Sequence, residues 1–227
     1  MHIDFSSFVL AAATADLDAE PAAREHADAV EFRLDLASEP LDALAAYEGE
    51  LPLIATNRPT WEGGRATDGE ERLNALETAA ATDAVGAIDV ELAALRDGSA
   101  DRLVEHAHDH GTAVIASTHD FEGTPHRDTM RDLLADASHR GDVAKLAVTA
   151  EGAGDVLDLL DATWAATTDG ERVATMAMGE AGRHSRAVAP LYGSRIGYAP
   201  VEPADATAPG QYDLATLSGL VEQLRAE

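Results

Sequence analysis

The single lysine of this chain lies inside an otherwise apolar run. Lys145 stands in the segment VAKLAV, and it is the only lysine among 16 basic residues. A buried structural ion pair is one interpretation, but arginine would serve that purpose at least as well. Arginine cannot lose its proton near neutral pH, whereas a desolvated lysine can, and only a neutral amine is a nucleophile. We therefore predict that Lys145 is an amine nucleophile.

A histidine follows the apolar run that precedes this one in the chain. His119 comes directly after the segment TAVIAST and before Asp120. Taken alone, a hydrogen-bonded histidine at the end of a strand is the simpler interpretation. Adjacent parallel strands lie about 4.8 Å apart, however, so His119 and Lys145 can reach the same bound molecule. Imidazole exchanges protons near neutral pH, which favours His119 as a general acid and base.

Polar and charged side chains interrupt or follow several other apolar runs. A charge that is buried in an apolar strand is costly unless it is paired. We therefore predict that these groups share one polar pocket and form ion pairs with each other. They are Glu31, Arg33, Asp35, Thr56, Asn57, Arg58, Glu62, Asp89, Glu91, Ser185 and Arg186.

The other histidines do not form a metal-binding pattern. His106, His108 and His110 alternate, and a period of two does not place three ligands on one face of a helix. The chain has no cysteine, which excludes disulfides and thiolate metal sites. We therefore expect no metal site.

Eight short apolar runs position the polar residues. Each run is nearly continuous in apolar residues, as is typical of parallel strands that are covered on both faces. Turn-forming or polar residues end each run, which sets the strand limits. The eight predicted strands are 7–13, 29–35, 51–58, 86–92, 112–118, 143–149, 172–178 and, less clearly, 194–200.

Segments with helical periodicity alternate with these strands. The predicted helices are 70–81, 130–138, 154–163 and a closing helix, 212–224. This alternation predicts a parallel sheet, and eight units favour a closed (β/α)8 TIM barrel over an open sheet. No GxGxxG turn follows the first strand, which is an argument against a dinucleotide-binding fold. We expect one α/β domain over residues 1–227, with its functional site at the carboxyl ends of the strands.

The chain is strongly acidic. It carries 42 acidic and 16 basic residues, and its formal net charge is -26. The acids are scattered rather than gathered into a tail, so we interpret them as an adaptation to high salt. Nucleic acid is not an expected partner, because its phosphates would be repelled. The first residues lack a basic region and no apolar run is long enough to span a bilayer, so we expect a cytoplasmic protein with no membrane partner.

Several segments resemble, in order along the chain, the motifs of the type I 3-dehydroquinate dehydratases of the shikimate pathway. The resemblance extends from the second predicted strand to the last helix, and Lys145 falls where the Schiff-base lysine of that family is expected. The matching segments are Glu31-Phe32-Arg33-Leu34-Asp35, Thr56-Asn57-Arg58 with Glu62-Gly63-Gly64, Asp89-Val90-Glu91, Ser117-Thr118-His119-Asp120-Phe121, Met178-Gly179 with Gly182 and Ser185-Arg186, and Thr207-Ala208-Pro209-Gly210-Gln211.

The resemblance implies a lyase that removes water from 3-dehydroquinate to give 3-dehydroshikimate. Lys145 would form a Schiff base with the substrate, His119 would act as general acid and base, and Glu62 would orient His119. The resemblance also implies that the enzyme needs no cofactor and no metal, and that the chain forms a homodimer. The residues implied in substrate binding are Glu31, Arg33, Arg58, Arg186, Thr207 and Gln211.

Two departures and two alternative functions accompany this resemblance. Thr207 replaces the usual serine, and Thr118 stands where an aromatic residue is common, but neither change removes a catalytic group. Another Schiff-base barrel, such as a class I aldolase, would share Lys145. A non-catalytic anion-binding barrel would show stabilisation by its ligand but no covalent adduct. The Pro and Gly content of residues 202–210 also suggests a loop that closes as a lid.

Overall fold

Eight parallel strands occupy the eight predicted segments, with small shifts at their ends. The structure, a computed structural model, describes residues 1–201 and 208–225 of the chain. The strands are β1 (Val9–Thr14), β2 (Ala29–Arg33), β3 (Leu53–Thr56), β4 (Val85–Glu91), β5 (Ala113–Asp120), β6 (Val143–Thr149), β7 (Val173–Met178) and β8 (Ile196–Pro200). They pair in the order β7-β6-β5-β4-β3-β2-β1-β8, which confirms the predicted parallel sheet.

A short contact region nearly closes the sheet between β7 and β8. Val173 and Ser194 form an isolated parallel bridge. The backbone N–H of Arg195 donates to the Val173 carbonyl at 2.7 Å. The side chain of Ser194 supplies the next link, because its Oγ accepts from the backbone N–H of Thr175 at 2.9 Å. The fold is therefore the predicted (β/α)8 barrel, with a serine side chain bridging its last two strands.

Helices cover the outer face of the sheet, and the four predicted helices are present. Among the described residues, no helix is long and apolar enough to cross a bilayer. The α-helices are α1 (Glu20–Ala23), α2 (Pro40–Ala45), α3 (Glu70–Ala80), α4 (Leu92–Asp97), α5 (Asp101–Asp109), α6 (Arg127–Ser138), α7 (Ala153–Thr168), α8 (Gly179–Gly182), α9 (Ser185–Val188) and α10 (Leu214–Arg225).

Three of the predicted helices differ from the sequence prediction, and α6 begins at Arg127 rather than at residue 130. α7 continues to Thr168, because Ala166 extends its buried face beyond the predicted end. In α10 the buried stripe ends at Val221, and Leu224 is 44 % exposed although the apolar spacing had placed it on that stripe. The helix therefore packs on the barrel only through its first two turns and the start of the third.

Apolar cores lie on both faces of the sheet. Phe32, Leu53 and Leu159 belong to the core between the strands and the helices. Ile54 and Ile115 belong to a second core that fills the barrel itself. Successive residues of a strand point to opposite faces, so a strand buried on both sides needs apolar residues throughout. This arrangement explains why the eight runs contain so few polar residues.

The strand register brings the exceptional polar residues together at one end of the barrel. Lys145 of β6 lies beside Ser117 of β5, and Ser117 lies beside Glu91 of β4. Thr56 at the end of β3 lies beside Asp89 of β4. Because these positions alternate with the residues of the outer core, their side chains face the barrel interior. The carboxyl ends of the strands therefore carry the polar pocket, as the sequence predicted.

Candidate active site

The amine of Lys145 is enclosed by acidic and aromatic groups inside the barrel. The residue is only 4 % exposed. Its Nζ donates to Oδ2 of Asp89 at 2.8 Å and lies 4.0 Å from Oε1 of Glu31. The ring centroid of Tyr198 lies 4.2 Å from the same Nζ. The predicted nucleophile is thus held in the pocket rather than exposed on the outer surface.

Asp89 is fully buried and is shared between two cations. Its Oδ1 accepts from Nη2 of Arg58 and from Oγ of Ser117, each at 2.6 Å, while Oδ2 binds Lys145. Burial alone would raise the pKa of Asp89, but the charges of Arg58 and Lys145 outweigh it and hold this pKa well below its ordinary value. Asp89 therefore stays ionised and fixes the position of the amine.

An ion-pair chain continues from Arg58 to the outside of the barrel. Nη1 of Arg58 donates to Oε1 of Glu91 at 2.7 Å, and Nη1 of Arg72 donates to Oε2 of the same carboxylate at 2.6 Å. Arg72 belongs to α3 and also donates to the carbonyl of Asn57 at 3.2 Å. These contacts confirm the predicted ion pairs among the polar residues of the strands.

Arg58 lines the pocket, but its guanidinium is already hydrogen-bonded to other residues of the protein. Burial would lower the pKa of Arg58, but the charges of Asp89, Glu91 and Glu62 outweigh burial and raise it. A guanidinium that already binds two carboxylates and Ser117 has few donors left for a ligand. The geometry therefore gives Arg58 a role in positioning Asp89, and its contact with the substrate stays a prediction.

Glu62 holds His119 through two hydrogen bonds. Oε1 of Glu62 accepts from the backbone N–H of His119 at 2.8 Å and faces Nδ1 of the same residue at 3.3 Å. With a carboxylate opposite Nδ1, the hydrogen-bond network assigns the ring proton to Nδ1 and leaves the Nε2 lone pair for a ligand. Burial, together with the charges of Arg58 and Lys145, keeps the pKa of His119 well below its ordinary value. His119 is therefore a neutral imidazole, ready to accept a proton.

The carboxyl of Glu62 is itself perturbed. Burial raises its pKa to about 7, even though Arg58 lies nearby and lowers it. The distance from Oε2 of Glu62 to Nη1 of Arg58 is 3.6 Å, an ion pair but not a hydrogen bond. Near neutral pH His119 is therefore neutral and Glu62 is divided between its charged and neutral forms, so the pair is sensitive to charge that develops beside it.

Two glycines explain how Glu62 reaches the pocket. Gly63 has a φ of 81°, and a Cβ there would collide with the ring of Phe121. A Cβ at Gly64 would collide with the carbonyl of Arg58. The turn therefore packs tightly against the end of β3 and against Phe121, whose ring stacks on that of His119 with a centroid separation of 6.0 Å.

Arg186 differs from the other pocket arginines because no carboxylate of residues 1–201 or 208–225 binds it. The residue is 4 % exposed, and its one hydrogen bond within the described chain is a 3.4 Å contact from Nη2 to the Pro209 carbonyl. Arg33, by comparison, binds both oxygens of Asp35, at 2.8 and 2.7 Å. Burial lowers the pKa of Arg186 to about 10, so it stays cationic near neutral pH. It is well suited to receive an anionic group.

Two of the remaining predicted binding residues line the pocket, and a third lies outside the described residues. Glu31 and Gln211 line the same pocket as Lys145. Oε1 of Gln211 accepts from the backbone N–H of Ala208 at 3.1 Å, which ties the side chain to its own loop. Thr207 and residues 202–207 of the expected lid lie outside the described residues.

Sequence reasoning missed one residue of this site. Tyr198 of β8 is buried, lines the pocket and lies against the Lys145 amine. The predicted strand 194–200 contained the signal, because Tyr198 alternates with Gly197 and Ala199 and shares the inward side with Ile196. Met176 and Met178 of β7 contribute apolar side chains to the same pocket.

The pocket combines three chemical capacities. It holds an amine nucleophile, a histidine with a carboxylate partner, and a cation that can bind an anionic ligand. This set is suited to condensation with a carbonyl compound that carries a carboxylate, followed by proton transfer. Within the described ranges, no cluster of His, Cys, Asp and Glu has an arrangement that could hold a metal ion.

Comparisons of sequence agree with this chemistry. The model of the type I 3-dehydroquinase family matches residues 9–226. The 3-dehydroquinate dehydratase of Haloarcula marismortui is 60% identical to this chain, over 99% of this chain and 100% of the relative. That of Halobacterium salinarum is 52% identical, over 98% of this chain and 100% of the relative.

Comparisons of structure give the same result. The 3-dehydroquinate dehydratase of Geobacillus kaustophilus superposes with a TM-score of 0.85 at 26% identity, over 98% of this chain and 93% of that one. The type I enzyme of Clostridium difficile, solved with covalently modified comenic acid, has a TM-score of 0.84 at 27% identity. It covers 96% of this chain, which in turn covers 92% of it.

Proposed function

The chain belongs to the type I 3-dehydroquinase family, and from this premise we propose that it dehydrates 3-dehydroquinate to 3-dehydroshikimate through an imine on Lys145. The observation that carries the proposal is the placement of Lys145, His119 and Arg186 around one pocket. One solved relative contains covalently modified comenic acid, and we take this as support for covalent chemistry at Lys145.

Lys145 provides the electron sink. Its Nζ attacks the ketone carbon, and loss of water from the resulting carbinolamine leaves an iminium. The iminium withdraws electrons more strongly than the ketone, so the neighbouring C2 proton becomes easier to remove. Asp89 holds Nζ at 2.8 Å and is held in turn by Arg58, so the amine enters the reaction from a defined position.

His119 transfers the protons. Its Nε2 takes the C2 proton, and the imidazolium then delivers a proton to the departing C1 hydroxyl, so that one residue serves as base and as acid. Glu62 fixes the ring through Nδ1 and stabilises the imidazolium as it forms. The low pKa of His119 makes the charged form short-lived, which favours delivery of the proton to the leaving group.

Arg186 binds the carboxylate of the substrate. A guanidinium matches a carboxylate in shape and can form two parallel hydrogen bonds with it. Gln211 lies at the same pocket and would support this end, together with Thr207. Glu31 and Arg33 line the pocket near Lys145 and would contact the ring hydroxyl groups.

Two other functions make different predictions for the same pocket. A class I aldolase would form an imine on Lys145 but would make or break a carbon–carbon bond. A non-catalytic anion-binding barrel would be stabilised by 3-dehydroquinate without adduct or turnover. Appearance of the absorbance of the conjugated product from 3-dehydroquinate would exclude both alternatives.

The decisive experiment is borohydride trapping with 3-dehydroquinate at high salt. Reduction of the imine should leave a stable added mass, and mass spectrometry of peptides should assign it to Lys145. The assignment is sharp because the only other aliphatic amine of the chain is its terminus. The Lys145→Arg variant should show neither adduct nor turnover, whereas His119→Ala should bind substrate but lose most turnover. Unmodified Lys145 in an active wild-type enzyme would refute the imine.

We also propose that the chain forms a homodimer. Leu157 and Trp164 on the outer face of α7 are exposed, as are Leu191 and Tyr192 on the turn that packs beside α7. Exposed apolar side chains that lie close together often mark contact surfaces. Light scattering at high salt should give twice the chain mass, and a single-chain mass would contradict the proposal.

A further inference from the structure

The hydroxyl of Tyr198 is a buried polar group that the proposed mechanism does not use. Tyr198 lies on β8, where its backbone pairs with Ala11 of β1 and its side chain belongs to the inner core. The residue is 4 % exposed, yet its Oη has no hydrogen-bond partner among the described residues. Tyr198 is one of the residues that line the pocket of Lys145.

An unpaired hydroxyl at this position needs an explanation. Burying a hydroxyl without a partner costs about 1–3 kcal/mol, whereas phenylalanine would fill nearly the same space without that cost. The ring alone would account for the contact with Lys145, because an aromatic face attracts a cation equally well without the oxygen. We therefore expect that a bound ligand supplies the hydrogen-bond partner of this hydroxyl.

The arginines near the Lys145 amine are already paired with carboxylates of the protein. Arg58 is bound to Asp89 and Glu91, and Arg33 is bound to Asp35. Burial, together with the charges of Asp89 and Glu31, raises the pKa of Tyr198 well above its ordinary value, so the phenol keeps its proton. Tyr198 thus offers a neutral donor on a ring whose centroid lies 4.2 Å from the attacking Nζ.

We propose that the Tyr198 hydroxyl donates a hydrogen bond to the oxygen on the carbon that Lys145 attacks. This inference rests on the imine mechanism proposed above. As the bond from Nζ to carbon forms, the carbonyl π bond breaks and negative charge develops on that oxygen. Tyr198 stabilises this charge and keeps its own proton. Nζ loses two protons on the way to the iminium, and His119 relays both of them to the oxygen, which leaves as water.

The Tyr198→Phe variant tests the proposal, because it removes only the oxygen. We expect the rate of imine formation, measured by rapid quenching of the enzyme and 3-dehydroquinate into borohydride, to fall about 100- to 1000-fold, by analogy with other single donors to a developing oxyanion. The melting temperature should be unchanged or higher, since no hydrogen bond within the described protein is lost. The same rate in the variant and the wild type would overturn the inference.

A matched control and the wild-type measurement separate the possible outcomes. Tyr47 donates to the Leu51 carbonyl at 2.7 Å and lines a different cleft, so Tyr47→Phe should keep the rate of imine formation. If the wild-type enzyme forms no adduct, the proposed imine fails before Tyr198 is tested. If Tyr198→Phe does not fold, the hydroxyl serves the fold and the inference is wrong.

Discussion

Glu62 and His119 illustrate at the scale of single residues how burial adjusts proton affinity. A carboxyl and an imidazole that face each other in water would both be charged near pH 6. In this barrel the pKa of Glu62 rises to about 7 and that of His119 falls, because burial penalises each charged form. Each residue can therefore change charge readily when a reaction beside it demands it.

The buried charge of Glu62 gives the first prediction. The folded chain raises the pKa of Glu62 from 4.5 to about 7, so this residue favours folding below pH 4.5 and that contribution is lost as pH rises through 7. Glutamine cannot ionise, so Glu62→Gln should gain stability relative to the wild type between about pH 5 and pH 8. The gain should approach about 3 kcal/mol, while turnover falls because His119 loses its carboxylate.

Denaturant unfolding at about pH 5 and about pH 8 measures the gain in unfolding free energy. Glu105 is exposed on α5, so Glu105→Gln is a matched control that should leave the pH dependence of stability as it is in the wild type. A constant difference in unfolding free energy between Glu62→Gln and the wild type at both pH values would contradict the shifted pKa of Glu62.

At the scale of secondary structure elements, the seam between β7 and β8 is the weakest part of the barrel. Seven strand pairs have hydrogen-bonded ladders, one of them with a register shift between β3 and β4, whereas β7 and β8 meet through one bridge and through side-chain contacts. Ser194 supplies those contacts, because its Oγ accepts from the Thr175 N–H at 2.9 Å and lies 3.4 Å from the Thr175 carbonyl. One hydroxyl thus replaces part of a missing strand ladder.

Ser194→Ala should therefore destabilise the barrel. The substitution leaves the buried N–H of Thr175 without its acceptor, which costs about 1–3 kcal/mol. Denaturant unfolding should show this loss, and hydrogen exchange should show faster exchange at the amides of β7 and β8 than elsewhere in the sheet. Ser38 is exposed between β2 and α2, so Ser38→Ala should leave stability unchanged. Equal stability of the two variants would show that Ser194 does not support the seam.

At the scale of the whole molecule, an acidic exterior surrounds a pocket that contains several cations. The net charge is -26, yet Arg33, Arg58, Arg186 and Lys145 line one pocket. Relatives from Haloarcula marismortui and Halobacterium salinarum support the interpretation that the acidic composition is an adaptation to high salt. Salt screens the repulsion between surface carboxylates and the repulsion that an anionic substrate meets on approach.

Stability should consequently depend strongly on salt. The screening length falls from about 10 Å at 0.1 M to about 3 Å at 1 M salt, so repulsion among the carboxylates weakens over this range. The melting temperature of the wild type should rise steeply with KCl. A variant in which the exposed residues Glu25, Glu105 and Glu222 are changed to Gln should melt higher in dilute buffer and show a smaller rise. A salt response that is equal in both proteins would argue against repulsion as its cause.

The sequence by itself determined the fold and most of the pocket residues. Strand and helix periods are local properties, so eight apolar runs and the helices between them were enough to predict the barrel. The isolation of Lys145 in an apolar strand was also visible without coordinates, since a lone charge among apolar neighbours requires a reason. The same logic predicted that the polar residues of the strands would form ion pairs.

Only the tertiary structure decided which groups pair and which stay available to a ligand. Asp89 and Lys145 are 56 residues apart, and Arg72 reaches Glu91 from a helix outside the barrel. Arg58 binds two carboxylates, whereas Arg186 has no carboxylate partner in the described chain. Tyr198 lies against the amine of Lys145. All three observations follow from the register of separate strands. Such contacts join distant parts of the chain, so no local pattern of residues encodes them.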